Sequence, residues 1–130
     1  MTVLHIEASV PEFTIYLDPP LQNPQTISMH CVRVGIPSSK TPPTAIHIYC
    51  DLIDSEDVRF HNGKVAKRAQ LLTIIHQKRG NQMNNEAHSK VKLRTNRNNH
   101  VYRINFRVTD QNENLFQLTP EKIKLEIEIC

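Results

Sequence analysis

Apolar and polar residues alternate along this chain with a period of two. From position 122 to 129, odd-numbered residues are apolar and even-numbered residues are charged. In a second stretch, 101–109, the pattern assigns four apolar residues to one face: Tyr102, Ile104, Phe106 and Val108. This period is typical of a β-strand with one face in the core and one in water, and such one-sided solvation favours antiparallel sheets. The sequence predicts an all-β fold, one antiparallel β-sandwich of about eight strands, as a single domain over 1–130. The strand count fits a jelly roll or an immunoglobulin-like sandwich, and we favour the jelly roll.

Turn-forming residues set the predicted boundaries of the early strands. Segment 3–8 is the first strand, and 13–17 is the second, which we expect to end at Asp18-Pro19-Pro20 because proline cannot donate to a ladder. In 27–34 the apolar phase shifts from Ile27 and Met29 to Val32 and Val34, which predicts a bulge. Further on, Asn62-Gly63 predicts a hairpin.

The middle of the chain is less regular. Segment 46–52 alternates, and it places His47, Tyr49 and Asp51 on the face opposite its apolar residues. Segment 71–75 predicts a strand buried on both faces, although 65–72 also suits a short helix. The polar segment 79–89 predicts a loop.

The apolar faces of these segments define a predicted core. Its members are Ile15, Leu17, Ile48, Cys50, Leu72, Ile74, Ile104, Phe106, Val108, Leu125 and Ile127.

Length and composition are those of an ordinary globular domain. At 130 residues, with 38% hydrophobic and 22% charged residues, the chain buries a core without disulfides or metals. It has no apolar run of the roughly 18 residues that cross a bilayer, and its first residues do not resemble a signal peptide. Three scattered cysteines, Cys31, Cys50 and Cys130, predict free thiols and a reducing compartment.

The net charge of +3 hides a strong asymmetry. Positions 64–107 hold eleven Lys or Arg and one acid, Glu86, a net charge of +10, whereas the remainder carries −7. Either an anion-binding face or a surface that contacts the acidic part of a second copy fits this pattern. The candidate residues are Lys64, Lys67, Arg68, Lys90, Lys92, Arg94, Arg103 and Arg107.

Part of this basic segment predicts a cationic ribbon. Lys90, Lys92 and Arg94 share a face at strand spacing, as do Arg103 and Arg107, so neighbouring strands would form a ribbon across one sheet. Reading of bases is not predicted, because the nearby aromatics Tyr102 and Phe106 are assigned to the core.

Motifs for catalysis or metal binding are weak. His30, Cys31, His47 and Cys50 converge only if their two strands pair, so the seven histidines are expected to face solvent. The chain has no Gly-x-Ser-x-Gly motif and only three glycines, and Asp51 beside Cys50 disfavours a reactive thiolate. We predict no catalytic residue, no metal and no cofactor.

Several stretches, taken in order, resemble a known family. They are 13–21, the Ile48-Tyr49-Cys50-Asp51-Leu52-Ile53 segment, 71–75, and 102–110 followed by Leu115-Phe116 and a closing strand. This order is similar to the small penton-like or minor capsid proteins of Polinton (Maverick) elements and adintovirus-like DNA viruses. The chain departs from the pattern after Asp110, where Asn112 and Asn114 replace expected glycines, and in the shorter segment 36–43.

The resemblance implies a non-enzymatic virion protein: a single jelly roll that forms a homo-oligomer, with a pentamer favoured, and contacts other capsid proteins. It implies assembly in the host cytoplasm or nucleus and no membrane partner. Two alternatives remain open from the residues: a nucleic-acid-binding accessory protein that uses the 64–107 region, and an adaptor that offers an edge strand to partners.

Overall fold

The alternating segments form antiparallel strands. The computed structural model describes residues 2–37, 41, 43–53, 58–61, 64–68, 71–76, 82–86, 93–95, 100–118 and 121–130. These residues contain strands and turns and no helix. The strands are β1 (Thr2–Ala8), β2 (Glu12–Gln22), β3 (Thr26–Gly35), β4 (Ala45–Cys50), β5 (Val58–His61), β6 (Lys64–Arg68), β7 (Leu71–His76), β8 (Gln82–Glu86), β9 (Leu93–Arg94), β10 (His100–Asp110) and β11 (Ile123–Ile129).

Eight of these strands form the two layers of a sandwich. Sheet I has the order β1-β11-β3-β8, and the short β9 also pairs with β3. Sheet II has the order β2-β10-β4-β7, and β5 and β6 pair as a separate hairpin. All the pairings are antiparallel.

The strand pairing is that of a jelly roll. Once β5, β6 and β9 are set aside, the first strand pairs with the last, β2 with β10, β3 with β8 and β4 with β7. This is one long antiparallel hairpin, and it is rolled up by the further pairs β11–β3 and β10–β4. The predicted all-β jelly-roll sandwich is confirmed, and the three additional short strands are the difference from the predicted eight.

The core lies between the two sheets. Of the predicted core residues, seven are buried: Ile48, Cys50, Ile104, Phe106, Val108, Leu125 and Ile127. Ile15 and Leu17 are partly buried and pack against the core, as expected for the edge strand β2. Leu72 and Ile74 lie in β7, and their side chains are outside the described part of the structure.

The predicted bulge in β3 is confirmed. Glu126 of β11 lies opposite Cys31 and Ile127 lies opposite Met29, so His30 is the unpaired extra residue. The bulge keeps Met29 and Val32 both buried although they are three residues apart.

A second irregularity, in β10, makes the prediction for Tyr102 wrong. Tyr102 is 63% exposed, while its neighbour Val101 is buried. The register between β10 and β2 shifts between Val101 and Arg103, so the inward phase of Ile104 and Phe106 does not extend back to Tyr102. The alternation of the sequence alone does not reveal this shift, because tyrosine is compatible with either face.

The strand predicted at 71–75 is present as β7, while three other expectations from the sequence differ from the structure. Strand β2 does not end at Asp18 but continues to Gln22 through a cis Asp18–Pro19 peptide bond. The short helix considered for 65–72 is absent, since β6 and β7 occupy its described residues. The polar loop predicted for 79–89 contains β8, which pairs with β3.

Candidate functional site

The edge strands β1 and β2 lie on the same side of the sandwich and border a groove. The groove has a volume of about 480 Å³. Its walls come from both strands and from the end of β11, including Leu4, Tyr16, Leu17, Pro20 and Ile129. An open side between two sheet edges is a place where another chain can add a strand.

The two edges differ in regularity. The register of β2 against β10 runs from Tyr16 opposite Arg103 to Leu21 opposite Val101, so four residues of β2 face a single residue of β10. Two of the four, Pro19 and Pro20, have no amide hydrogen to donate. This part of the β2 edge therefore cannot form a continuous ladder with an incoming strand.

The β1 edge is regular and carries paired charges. It pairs with β11 over seven residues without a register shift. Lys122 Nζ lies 2.8 Å from Glu7 Oε1, and this hydrogen bond lowers the pKa of Glu7. His5 Nδ1 lies 3.8 Å from Glu126 Oε2.

The outer face of sheet I also holds a mostly buried acid–imidazole pair. Nε2 of His30 lies against Oε2 of Glu128, and both side chains are at most 20% exposed. The thiol of Cys130 lies 3.5 Å from the other Glu128 oxygen. The bulge at His30 turns this imidazole toward Glu128, and so the expectation that the histidines face solvent is wrong here.

The convergence that a metal site requires does not occur. His30 and Cys31 lie on β3 of sheet I, whereas His47 and Cys50 lie on β4 of sheet II, and β3 and β4 do not pair. Among the described residues, no group of three or more His, Cys, Asp or Glu is arranged to hold a metal ion. All three cysteines are free, and Cys50 is fully buried.

On the outer face of sheet II, a carboxylate joins a turn to β4. Glu113 lies in the turn after β10 with a φ of 62°. Its Oε1 lies 2.8 Å from His47 Nδ1, and its Oε2 accepts a 2.5 Å hydrogen bond from the Tyr49 hydroxyl. His47 and Tyr49 are each 7% exposed, so the expectation that the histidines face solvent is wrong for His47 as well.

Arg107 lies beside this network. Its guanidinium is 4.6 Å from the centre of the Tyr49 ring, a cation–π contact. Its Nε is buried and has no hydrogen-bond partner among the residues that the structure describes. Arg107 therefore packs against Tyr49 within the sheet. Its guanidinium is less accessible to anions than a cationic ribbon requires.

A second hydrogen-bond network on sheet II connects β2, β10 and the end of β4. Asp51 accepts hydrogen bonds from the Asn105 backbone at 3.0 Å and from its side-chain amide at 2.7 Å. Asn105 Oδ1 in turn accepts a bond from the Thr14 hydroxyl of β2. These contacts make the centre of this face a bonded polar surface.

The structure separates the predicted basic residues. Lys90 and Lys92 lie outside the described residues, and Lys64, Lys67 and Arg68 lie in β6 of the separate hairpin. Arg94 lies in β9 against β3 of sheet I, whereas Arg103 and Arg107 lie in β10 of sheet II. Because β9 and β10 do not pair, the expected ribbon across one sheet does not form from these three arginines.

Sequence reasoning missed two exposed tyrosines next to Arg103. Tyr16 is 78% exposed and lies opposite Arg103 in the ladder, and Tyr102 is 63% exposed. The ring centres of His100 and Tyr102 are 6.4 Å apart. The proline pair after Tyr16 was the one available signal that this region departs from a regular strand.

Comparisons with protein-family models, with curated proteins and with solved structures find no match for this chain. Within the described residues, no helix is long and apolar enough to cross a membrane.

Proposed function

We propose that this chain is a non-enzymatic structural protein of a DNA virus, a penton-like or minor capsid subunit that assembles with copies of itself and with other capsid proteins in the virion. The observation that carries the proposal is where the resembling segments fall. Four of them map to β2, β4, β7 and β10, which are the four strands of sheet II, and the closing strand is β11 of sheet I. The jelly roll is also an architecture from which viral capsids are built.

Charge distribution supports assembly between unlike surfaces. A segment of net charge +10 and a remainder of −7 belong to the same domain. Contact between a basic surface of one copy and an acidic surface of the next is heterologous, and it closes into a ring where the rotation permits. We favour a pentamer because the resembling proteins occupy vertices.

Light scattering on the purified full chain, combined with electron microscopy, tests this function. We expect rings with a mass near five times the 15.0 kDa of one chain. Because opposite charges drive the contact, higher salt weakens the ring. A 15.0 kDa monomer at high protein concentration and low salt contradicts the proposal.

A matched pair of charge reversals identifies the surface. Arg103 is exposed and lies in the basic segment, whereas Arg33 is exposed and lies outside it. We expect Arg103→Glu to weaken the ring and Arg33→Glu to leave it unchanged. If Arg33→Glu weakens the ring and Arg103→Glu does not, the contact lies on sheet I.

A second candidate function, binding of single-stranded nucleic acid, rests on the exposed tyrosines. Tyr16 and Tyr102 lie beside the exposed Arg103, and aromatic rings next to a cation form a surface on which bases stack. Fluorescence anisotropy with a labelled oligonucleotide tests it. Binding should fall with salt by about one decade per phosphate contact per decade of salt, and it should be lost in the double reversal of Lys92 and Arg103. No binding at low salt removes this candidate.

A further inference from the structure

The β1 edge lacks most of the features that normally protect an edge strand, and its one acidic side chain, Glu7, is paired with Lys122. Its sequence, Thr2–Ala8, contains no proline, glycine or lysine, and it has no bulge against β11. Among the described strands, only β11 pairs with it. Natural edges of this length are usually interrupted, charged toward the inside or covered.

The neighbouring β2 edge shows the contrast within one molecule. There Pro19 and Pro20 interrupt the ladder and remove two donors. An incoming strand therefore finds a continuous row of backbone donors and acceptors on β1 and an interrupted row on β2. The regular edge is the one suited to pairing.

The side chains of β1 restrict which strand fits. Ile6 is buried, and Leu4 and Ala8 are partly buried and pack against the core, whereas His5 and Glu7 face outward and are exposed. A partner strand must continue both the apolar inner face and the charged outer face. An antiparallel copy of β1 does so in any register that pairs odd with odd and even with even residues.

Charge selects one of these symmetric registers. With the twofold axis at Ile6, His5 of each copy lies opposite Glu7 of the partner subunit, and Leu4 lies opposite Ala8. With the axis at His5, the two imidazoles face each other and Glu7 lies opposite Val3. With the axis at Glu7, two carboxylates are opposed. Like charges directly opposite destabilise a strand pair, so the Ile6-centred register is favoured.

We propose that β1 pairs antiparallel with β1 of a second copy of this chain about a twofold axis at Ile6. The contact joins the two copies of sheet I into one continuous sheet. It places His5 between Glu126 of its own chain and Glu7 of the partner subunit. It is isologous and so closes as a dimer.

This contact is independent of the proposed capsid role. A ring uses unlike surfaces, whereas the β1 contact uses the same strand twice. The variants that test the ring lie at Arg103 and Arg33, and those that test the dimer lie on β1. A result that contradicts one proposal therefore does not contradict the other.

Sedimentation equilibrium on the full chain measures the association. One strand pair is a small interface, below about 1,200 Å², so the protein is examined up to millimolar concentration. The experiment uses the Arg103→Glu variant, in which the proposed ring is weakened, and in this variant we expect a monomer–dimer equilibrium. Two additional exposed ion pairs per dimer make His5→Lys associate about fivefold more tightly at pH 8, and adding Glu7→Gln to His5→Lys should remove that gain.

Val3→Lys is the matched control, because it tells the registers apart. In the Ile6-centred register Val3 lies opposite Ser9 and a lysine there changes little. In the His5-centred register the same lysine lies opposite Glu7 of the partner subunit and tightens the dimer. Tightening by Val3→Lys overturns the proposed axis.

Disulfide cross-linking measures the register directly. Residues directly opposite in an antiparallel pair have Cα atoms about 4.5–5.5 Å apart, which suits a disulfide. In a background with Cys31 and Cys130 replaced by serine, Ile6→Cys should give a covalent dimer with diamide and His5→Cys should not. The reverse result overturns the register.

An Arg103→Glu protein that stays monomeric at every concentration overturns the self-pairing and leaves the edge to a strand of another protein.

Discussion

Oε1 of Glu113 lies 2.8 Å from Nδ1 of His47, although the two residues are 66 positions apart in the chain. The contact fastens the turn after β10 to the outer face of β4. The same carboxylate accepts a hydrogen bond from the Tyr49 hydroxyl, so one side chain contacts two largely buried polar groups. Glu113 adopts a left-handed φ of 62° to do this, at a position next to the two asparagines that replace the expected glycines.

Removing this carboxylate should destabilise the domain. Glu113→Ala removes a hydrogen bond from the Tyr49 hydroxyl and the contact with the His47 imidazole, and loss of a partner by a buried polar group costs about 1–3 kcal/mol. Urea denaturation followed by circular dichroism measures the loss. Tyr49→Phe keeps the ring beneath Arg107, and its effect should be smaller in the Glu113→Ala background. Full additivity of the two substitutions contradicts the bond.

The inner face of β10 can be tested with two aromatic residues of the same strand. Phe106 is 3% exposed and stacks on Phe13 with ring centres 5.1 Å apart. Phe106→Ala should cost about 3–5 kcal/mol, enough to unfold a marginal domain. Tyr102→Ala, at an exposed position, should change the free energy of unfolding by less than about 0.5 kcal/mol. Equal effects of the two substitutions contradict the shifted register.

Gly35 is required by a close approach of the chain. A Cβ added at Gly35 would lie 2.8 Å from the Cβ of Glu121. Gly35→Ala should therefore destabilise the fold by about 1–3 kcal/mol, because backbone must move. Glu121→Gly in the same chain removes the clashing atom and should restore part of the loss. Glu121→Ala keeps that atom and should not, and thermal melts of the four proteins distinguish the cases.

The Glu7–Lys122 ion pair predicts a dependence of stability on acid. The hydrogen bond from Lys122 and its charge lower the pKa of Glu7 below 4.5. A carboxyl group whose pKa is lower in the folded state than in the unfolded state stabilises the fold at pH values above its unfolded pKa. That contribution is lost as the pH falls through the folded pKa. Lys122→Met should raise the pKa of Glu7 and reduce stability at neutral pH but not in strong acid.

Carbon-detected NMR of the Glu7 carboxyl follows this titration. Lys124 has a weaker effect on Glu7 than Lys122, so Lys124→Met serves as the control and should shift the pKa of Glu7 less. An unchanged Glu7 titration in Lys122→Met removes the ion pair as a cause. The titrations should be recorded at low protein concentration, where β1 does not pair with β1 of a second copy.

The sequence by itself determined the fold class. Strict alternation in 101–109 and 122–129 demands half-buried antiparallel strands, and the shift of apolar phase in 27–34 placed the β3 bulge, because burial of one face leaves the register no freedom. The buried Phe106 followed from the same alternation, and the free cysteines followed from their small number and scattered positions. These are local properties, because the polarity of each residue indicates which face of its strand it lies on.

The tertiary structure decided which surfaces meet. Tyr102 became exposed because the β10–β2 register shifts, and His47 became buried because Glu113 packs over it from a turn 66 residues away. Arg94 and Arg103 separated because β9 and β10 belong to different sheets. Strand order also made β1 an edge. Each outcome depends on pairing between distant segments, and a period of two carries no information about which strand lies alongside.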